Sequence, residues 1–317
     1  MKKCILIFLL GVCSVSAAPH SAIFLSAKQR DFWWNCDYLE LVAKRVDFTQ
    51  VKSALDVGCG RGAWTWVIGS LLPEDAKVIG VDIEPEWIKG IEPPSDRFSF
   101  AIADANALPF EDESFDLVTC QTLLMHVQDY KKVLGEMARV LKTGGLLILS
   151  EPTNMANISA SNTAQQSLSL EERIDVARLH LICEKGRELC EKGIPSIGLH
   201  LNYLLPVSIT HLHSFMSEKM MALTPPYRKE EERALLDFIY SITSDNWYYL
   251  WSKEEAKKCF FAIYPEEQQE FDRLWQIACK LNAIYRQQIQ ERKLGGVFGG
   301  HLILTIGKKQ SQSAEGI

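Results

Sequence analysis

The 317-residue chain carries 34 Lys+Arg against 40 Asp+Glu, a net charge of -6, with 47% hydrophobic and 23% charged residues. That composition excludes global disorder and leaves room for one large α/β domain or up to two ordinary ones. The mild acidity argues against a dedicated nucleic-acid binder, whose phosphate contacts need a basic face. Nine cysteines is an odd number, and no C-x-x-C pair occurs. Neither a disulfide framework nor a zinc signature is present, and no metal site is expected.

Residues 1–20 place Lys2 and Lys3 before an apolar run from 4 to 13, followed by small residues at 14–18. This is the pattern of a secretory signal, with Val15 and Ala17 where a signal peptidase reads small side chains. Ser14, Ser16 and Pro19 leave it short for a membrane span. An apolar anchor through residues 4–18 and a misassigned start are the competing readings. Residues 27–50 read as one amphipathic helix with an aromatic entry at Phe32, Trp33 and Trp34.

From there the period changes. Residues 53–62 are a short apolar strand running into glycines, and 63–72 a helix closed by Pro73. KVIGVDI and FSFAIADA are two more strands, each ending in an acid. SFDLVTCQT is a fourth, 130–141 a helix, and TGGLLILSEP a glycine turn feeding a fifth. Strands alternating with helices over 53–152 predict a parallel sheet covered on both faces. After Pro152 the rhythm stops. Residues 155–170 read as a loop or lid, 171–192 as a charged helix, 204–212 as a helix, 215–223 as a strand and 228–291 as mostly helical. The run GGVFGGHLILTIGKK is a glycine turn and a strand returning to the sheet.

Asp56-Val57-Gly58-Cys59-Gly60-Arg61-Gly62 sits at the carboxyl end of the first strand. Open α/β sheets bind ligands there, and glycines let the backbone turn and approach them. Asp82 and Asp104 end the next two strands, and an acid after the second strand is placed to accept from a ribose diol. The spacing G-x-G-x-G differs from the dinucleotide fingerprint G-x-G-x-x-G. Asp56 beside the loop would repel a pyrophosphate but suit a sulfonium or ammonium cation, which favours S-adenosylmethionine.

LDVGCGRG, VIGVDIEPEWI, AIADANALPFEDESFDLVTCQTLLMHV and LKTGGLLILSEP together resemble the class I S-adenosylmethionine-dependent methyltransferases, within the type 11 group of ubiquinone and menaquinone biosynthesis enzymes. The resemblance covers residues 50–153. It implies a Rossmann-like seven-stranded sheet with helices on both faces, a helical insertion, and HLILTIGKK as an antiparallel last strand. It divides the chain into a signal-like or anchor segment (1–20), an N-terminal helix and cofactor core (27–153), a mostly helical substrate region with the sixth strand (154–294), and the last strand (295–310). By the same resemblance 204–215 is the helix and turn before the sixth strand, and 228–294 an insertion between the last two.

Carried over by position, Gly58, Cys59 and Gly60 lie against the amino-acid and ribose portion of S-adenosylmethionine, and Asp56 orients the loop or reaches the amino group through water. Asp82 takes the ribose diol, Ile83 flanks the adenine, Asp104 accepts from its amine, Ala105 supplies backbone contact, and Gln121 lines the floor near the methionine. Arg61 is a variable position, and Cys59 is not a nucleophile.

Methyl transfer needs alignment and exclusion of water, with a general base only for acceptors of high pKa. His126, expected on the helix after the fourth strand, and Glu151 are the candidates for that base; His126 is also readable as a packing residue. The Asn-Pro-Pro-Tyr signature of amide or base methylation is replaced by Glu151-Pro152-Thr153-Asn154. With no basic stretch, a small, partly apolar acceptor is expected. A protein or RNA methyltransferase, and an exported ligand-binding protein of the same fold, remain as alternatives. His200, Tyr203, His211 and His213 would hold a metal only if they converged with a carboxylate, and no metal site is expected of them. The aromatic residues between 247 and 264 form either an acceptor pocket or the core of the helical block, and residues 228–234 a solvated face. The unpaired cysteines and complete cofactor motif point to a cytoplasmic enzyme, membrane-associated through residues 4–18 at most.

Overall fold

The computed structural model describes residues 36–155, 162–217, 221–248, 251–298 and 301–311. The N-terminal signal-like segment, Trp33 and Trp34 lie outside them. Five strands fall where the periodicity places them: β1 Ser53–Val57, β2 Lys77–Asp82, β3 Phe98–Ile102, β4 Phe115–Gln121 and β5 Leu141–Pro152. With β6 Ile209–Met216 and β7 Leu302–Lys309 they build a seven-stranded sheet of order β3-β2-β1-β4-β5-β7-β6. The first five pair in parallel. β7 runs antiparallel between β5 and β6, as the resemblance implied.

Both faces of the central strands are buried because side chains alternate between two cores. Leu55 and Val57 of β1 join Val133, Leu134 and Met137 of α3 (Tyr130–Val140). Ala54 joins Tyr38, Leu39 and Val42 of α1 (Cys36–Arg45) and Trp64 and Ile68 of α2 (Ala63–Leu71). Trp64 is 2% exposed, and its Nε1 donates to Thr119 Oγ1 at 2.8 Å, which in turn donates to the Ile148 carbonyl. Burying that indole contributes roughly 2–3 kcal/mol and fixes α2 across β4 and β5.

Three expectations need correction. The first helix ends at Arg45, not near residue 50. Asp47 Oδ1 accepts from the Thr49 N–H and hydroxyl, closing a side-chain turn that redirects the chain into β1. The 204–212 helix is only Leu201–Leu204, because Pro206 stops it and the chain enters β6 at Ile209. The sixth strand therefore starts well before residue 215. Its sequence hid it: β6 is the sheet's edge and most of its side chains are exposed, so no apolar alternation marks it. Within 155–170, Thr163–Gln166 forms a helical turn capped by Asn162.

The helical residues beyond the sheet pack as a block of α4 (Leu170–Leu189), α5 (Glu230–Ile242), α6 (Lys253–Phe261) and α7 (Gln268–Gln290). On α7, Phe271, Leu274, Trp275, Ala278 and Leu281 recur at helical spacing and face inward. Trp251 and Phe260 are buried with them, so these members of the aromatic cluster are the block's own core. The segment 228–234 is largely solvated, as expected. Among the described residues no helix is long and apolar enough to cross a membrane.

Candidate functional site

The glycine loop leaves β1 at the carboxyl edge of the sheet. Gly58 and Gly60 have φ of 70° and 55°, conformations that other residues adopt only with strain. Asp56 is fully buried and accepts from Thr65 Oγ1 at 2.6 Å, so it ties the first turn of α2 to the strand. Cys59 donates its N–H to the Val81 carbonyl at 2.9 Å. Burial, with Asp56 and Asp82 nearby, pushes its thiol far above the ordinary range, which leaves it inert.

Asp82 closes the loop from β2. Its Oδ2 accepts from the Gly60 N–H at 2.8 Å and its Oδ1 from the Glu84 N–H at 3.0 Å. One backbone bond per oxygen leaves each with a further lone pair, which matches two vicinal hydroxyl donors. The next residue, Ile83, is 65% exposed, an apolar surface beside that acid on which a flat ring could lie. On the neighbouring strand end Asp104 is exposed, and both its bonds, to the Asn106 N–H and side-chain amide, fall on Oδ1. Those bonds hold it below the usual carboxylate range, so it stays ionised with Oδ2 turned to other donors. Ala105, half-buried, follows it.

At the end of β4, Gln121 is 3% exposed and its Nε2 has no hydrogen-bond partner among the described residues. A buried amide donor left open costs about 1–3 kcal/mol unless a ligand meets it. The acids, the open amide and the exposed apolar residue are of the right chemistry for the ribose, adenine and methionyl parts of S-adenosylmethionine, which Asp82, Ile83, Asp104 and Gln121 would hold.

The two base candidates are placed differently from expectation. His126 lies on an exposed turn, not on a helix, because α3 starts only at Tyr130 behind the cap Asp129. Its Nδ1 is 3.2 Å from Arg187 Nη2. Glu151 is fully buried. Its Oε1 accepts from the N–H groups of Leu123 and Leu124, both at 2.8 Å, and its Oε2 from that of Met125 at 3.2 Å. A base needs access to its substrate's proton, and this carboxyl is committed to backbone instead. His200 contacts Tyr203 at 2.5 Å, and His211 contacts Ser214 at 2.9 Å on the edge strand. Among the described residues no cluster of His, Cys, Asp and Glu could hold a metal.

Two residues escaped sequence reasoning. Leu123 packs over Gly58, where an added Cβ would meet its Cδ1 at 2.7 Å. Thr65 is the partner of Asp56. Neither carries a local signal, since a leucine after a strand and a threonine in a helix are ordinary.

Glu151 also makes stability depend on pH. Burial pushes it from its ordinary 4.5 up to about 7, against the opposing pull of its hydrogen bonds. The folded state therefore keeps the proton longer than the unfolded one. Its contribution is fully present below the ordinary carboxylate value and is lost as pH rises through about 7, by about 3 kcal/mol in all. Glu151→Gln is expected to remove that slope, so the variant gains on the wild type between about pH 5 and about pH 8. Parallel denaturation curves for the two proteins across that range would reject the assignment.

Comparison with known proteins gives similarities over the same part of the chain. Residues 49–196 match the family described as "Methyltransferase domain". A demethylmenaquinone methyltransferase of Shouchella clausii is 37% identical over 118 residues, covering 35% of this chain and 50% of that protein. One of Lactococcus lactis is 35% identical over 135 residues, covering 41% and 52%. The chain thus spans about half the length of the curated relatives it matches. Among solved structures, a methyltransferase-like protein of Bacillus halodurans is 18% identical with a TM-score of 0.48, covering 87% of this chain and 100% of that one. Residues 49–196 are thus similar to a methyltransferase domain, over just under half of the chain.

Proposed function

We propose that the chain is an S-adenosylmethionine-dependent methyltransferase acting on a small, partly apolar acceptor. The observation that carries this is Asp82, which holds the Gly60 N–H and keeps acceptor capacity for a diol at the end of β2. The cofactor supplies an electrophilic methyl group on a sulfonium. The chain supplies orientation: Asp82 and Asp104 fix the nucleoside, and Gln121 and the Gly58–Gly60 backbone meet the amino-acid end. A buried carboxylate at Asp56 favours a cationic centre nearby.

Glu151 is buried and committed to backbone, and His126 lies on an exposed turn beside Arg187, which supports a carbon or soft acceptor that needs little proton removal. The demethylated quinone named in the relatives is the first acceptor to test. The reading carries with it a cytosolic location, where S-adenosylmethionine is made, with membrane association through residues 4–18 at most. A mature chain beginning near Ala18 would overturn that location.

The test is calorimetric titration of S-adenosylmethionine and S-adenosylhomocysteine, followed by transfer of labelled methyl to apolar acceptors. Cofactor binding and a labelled small-molecule product support the proposal. Labelled lysate macromolecules without such a product select a protein or RNA acceptor. A folded protein that binds neither ligand removes the enzyme reading in favour of an exported ligand-binding protein.

A further inference from the structure

The backbone of residues 122–126, between β4 and α3, is held from two sides. On one side stands Glu151, with the N–H groups of Leu123, Leu124 and Met125 converging on its two oxygens. On the other stands the turn after α4. A Cβ on Gly193 would overlap the Met125 carbonyl oxygen, and one on Gly198 the Glu151 carbonyl oxygen. Arg187 reaches His126, and Gln128 Nε2 donates to Glu191 at 2.7 Å. The loop's half-buried Leu123 forms the wall over Gly58 of the glycine loop.

We propose that Glu151 is a positioning residue for the cofactor: by fixing the 123–125 backbone it sets Leu123 against Gly58, and it links cofactor affinity to the seating of the helical block on the same loop. The proposal rests on the methyltransferase reading. Only a carboxylate presents acceptors on both oxygens and no donor of its own, so it alone satisfies three converging N–H groups. Glutamine would turn an NH2 toward one of them. Protonation has a similar effect, since the protonated oxygen becomes a donor. The ionised form grips the loop harder, and cofactor affinity should therefore rise with pH through neutrality.

The ionisable groups on the surrounding elements include Cys120 of β4, Asp56 of β1, His126 of the loop, and His180, Glu184, Arg187, Glu191 and His200 of α4 and its following turn, with His180 paired to Glu184 at 3.4 Å. Cys120 touches the carboxyl, at 3.6 Å from Oε1, and burial holds its thiol well above its ordinary range. His126 is the histidine on the loop itself, 3.2 Å from Arg187, so it needs its own control.

The experiment is calorimetric titration of S-adenosylhomocysteine into the full chain at about pH 6 and about pH 8. Wild type, Glu151→Gln and His126→Gln are compared. Wild type should bind several-fold more tightly at the higher pH, and His126→Gln should keep that difference. Glu151→Gln should bind about tenfold more weakly than wild type at the higher pH and show no difference between the two. Equal affinities for Glu151→Gln and wild type, or a difference abolished in His126→Gln, overturn the proposal. Should Glu151→Gln fail to fold, a wild-type affinity that does not change with pH overturns it alone. Absence of binding by wild type at either pH fails the methyltransferase reading itself, whereas binding without the pH difference fails only the role of Glu151.

Discussion

Asp82→Ala is expected to weaken S-adenosylhomocysteine binding by at least about a hundredfold, while Asp82→Asn falls between the variant and wild type. Two separate losses add up. The Gly60 and Glu84 N–H groups lose their acceptor at 2.8 Å and 3.0 Å, so the glycine loop is no longer tied to β2. The ribose hydroxyls lose an ionised acceptor, and bonds to charged groups are worth about 1.5–3 kcal/mol each. Asparagine keeps one oxygen but faces the second N–H with its own amide. Calorimetry with both variants decides the matter, supported by near-native denaturation midpoints to exclude unfolding. An Asp82→Ala protein that binds within about threefold of wild type would rule out the ribose role.

The largest effect on stability is expected at Gly186. Replacing a mid-helix glycine by alanine ordinarily gains about 1 kcal/mol. Here α4 and α6 cross so closely that the new Cβ would overlap the Cys259 carbonyl oxygen. A backbone atom cannot swing aside as a side chain can, so the helices must separate. Overpacking of this kind should cost about 2–4 kcal/mol, reversing the helix-propensity gain. Gly135 on α3 is the matched control: nothing lies within 4 Å of its added Cβ, and Gly135→Ala should leave stability unchanged or improve it by up to about 1 kcal/mol. Urea midpoints for both variants at unchanged slope provide the reading. A Gly186→Ala protein as stable as the Gly135→Ala one would refute the close crossing.

The reach of sequence reasoning follows from which interactions are local. Strands β1 to β5 were legible because each is a short apolar run bounded by glycines, acids or proline. A strand buried on both faces needs only that pattern. The same local logic placed Gly58, Gly60, Asp82 and Asp104, since the end of a parallel strand is where the chain must turn and where a ligand can approach. β6 was misread because an edge strand has few buried side chains to impose a period, and its true start follows from pairing with β7.

Strand and helix periodicity were enough to determine a parallel sheet with a glycine loop and acids at its strand ends, and the family resemblance implied the antiparallel last strand. Tertiary structure alone decided what Glu151 does. Its position at the end of β5 was plain, but a carboxyl in that place can face solvent as a base or face backbone as an anchor. Only the fold brings the Leu123, Leu124 and Met125 N–H groups to it and removes it from water. Gly186, Gly193 and Gly198 are likewise ordinary glycines until another segment's carbonyl arrives within reach. The reason is the same in each case: burial and close approach depend on residues far away in the chain, and no local period or motif encodes them.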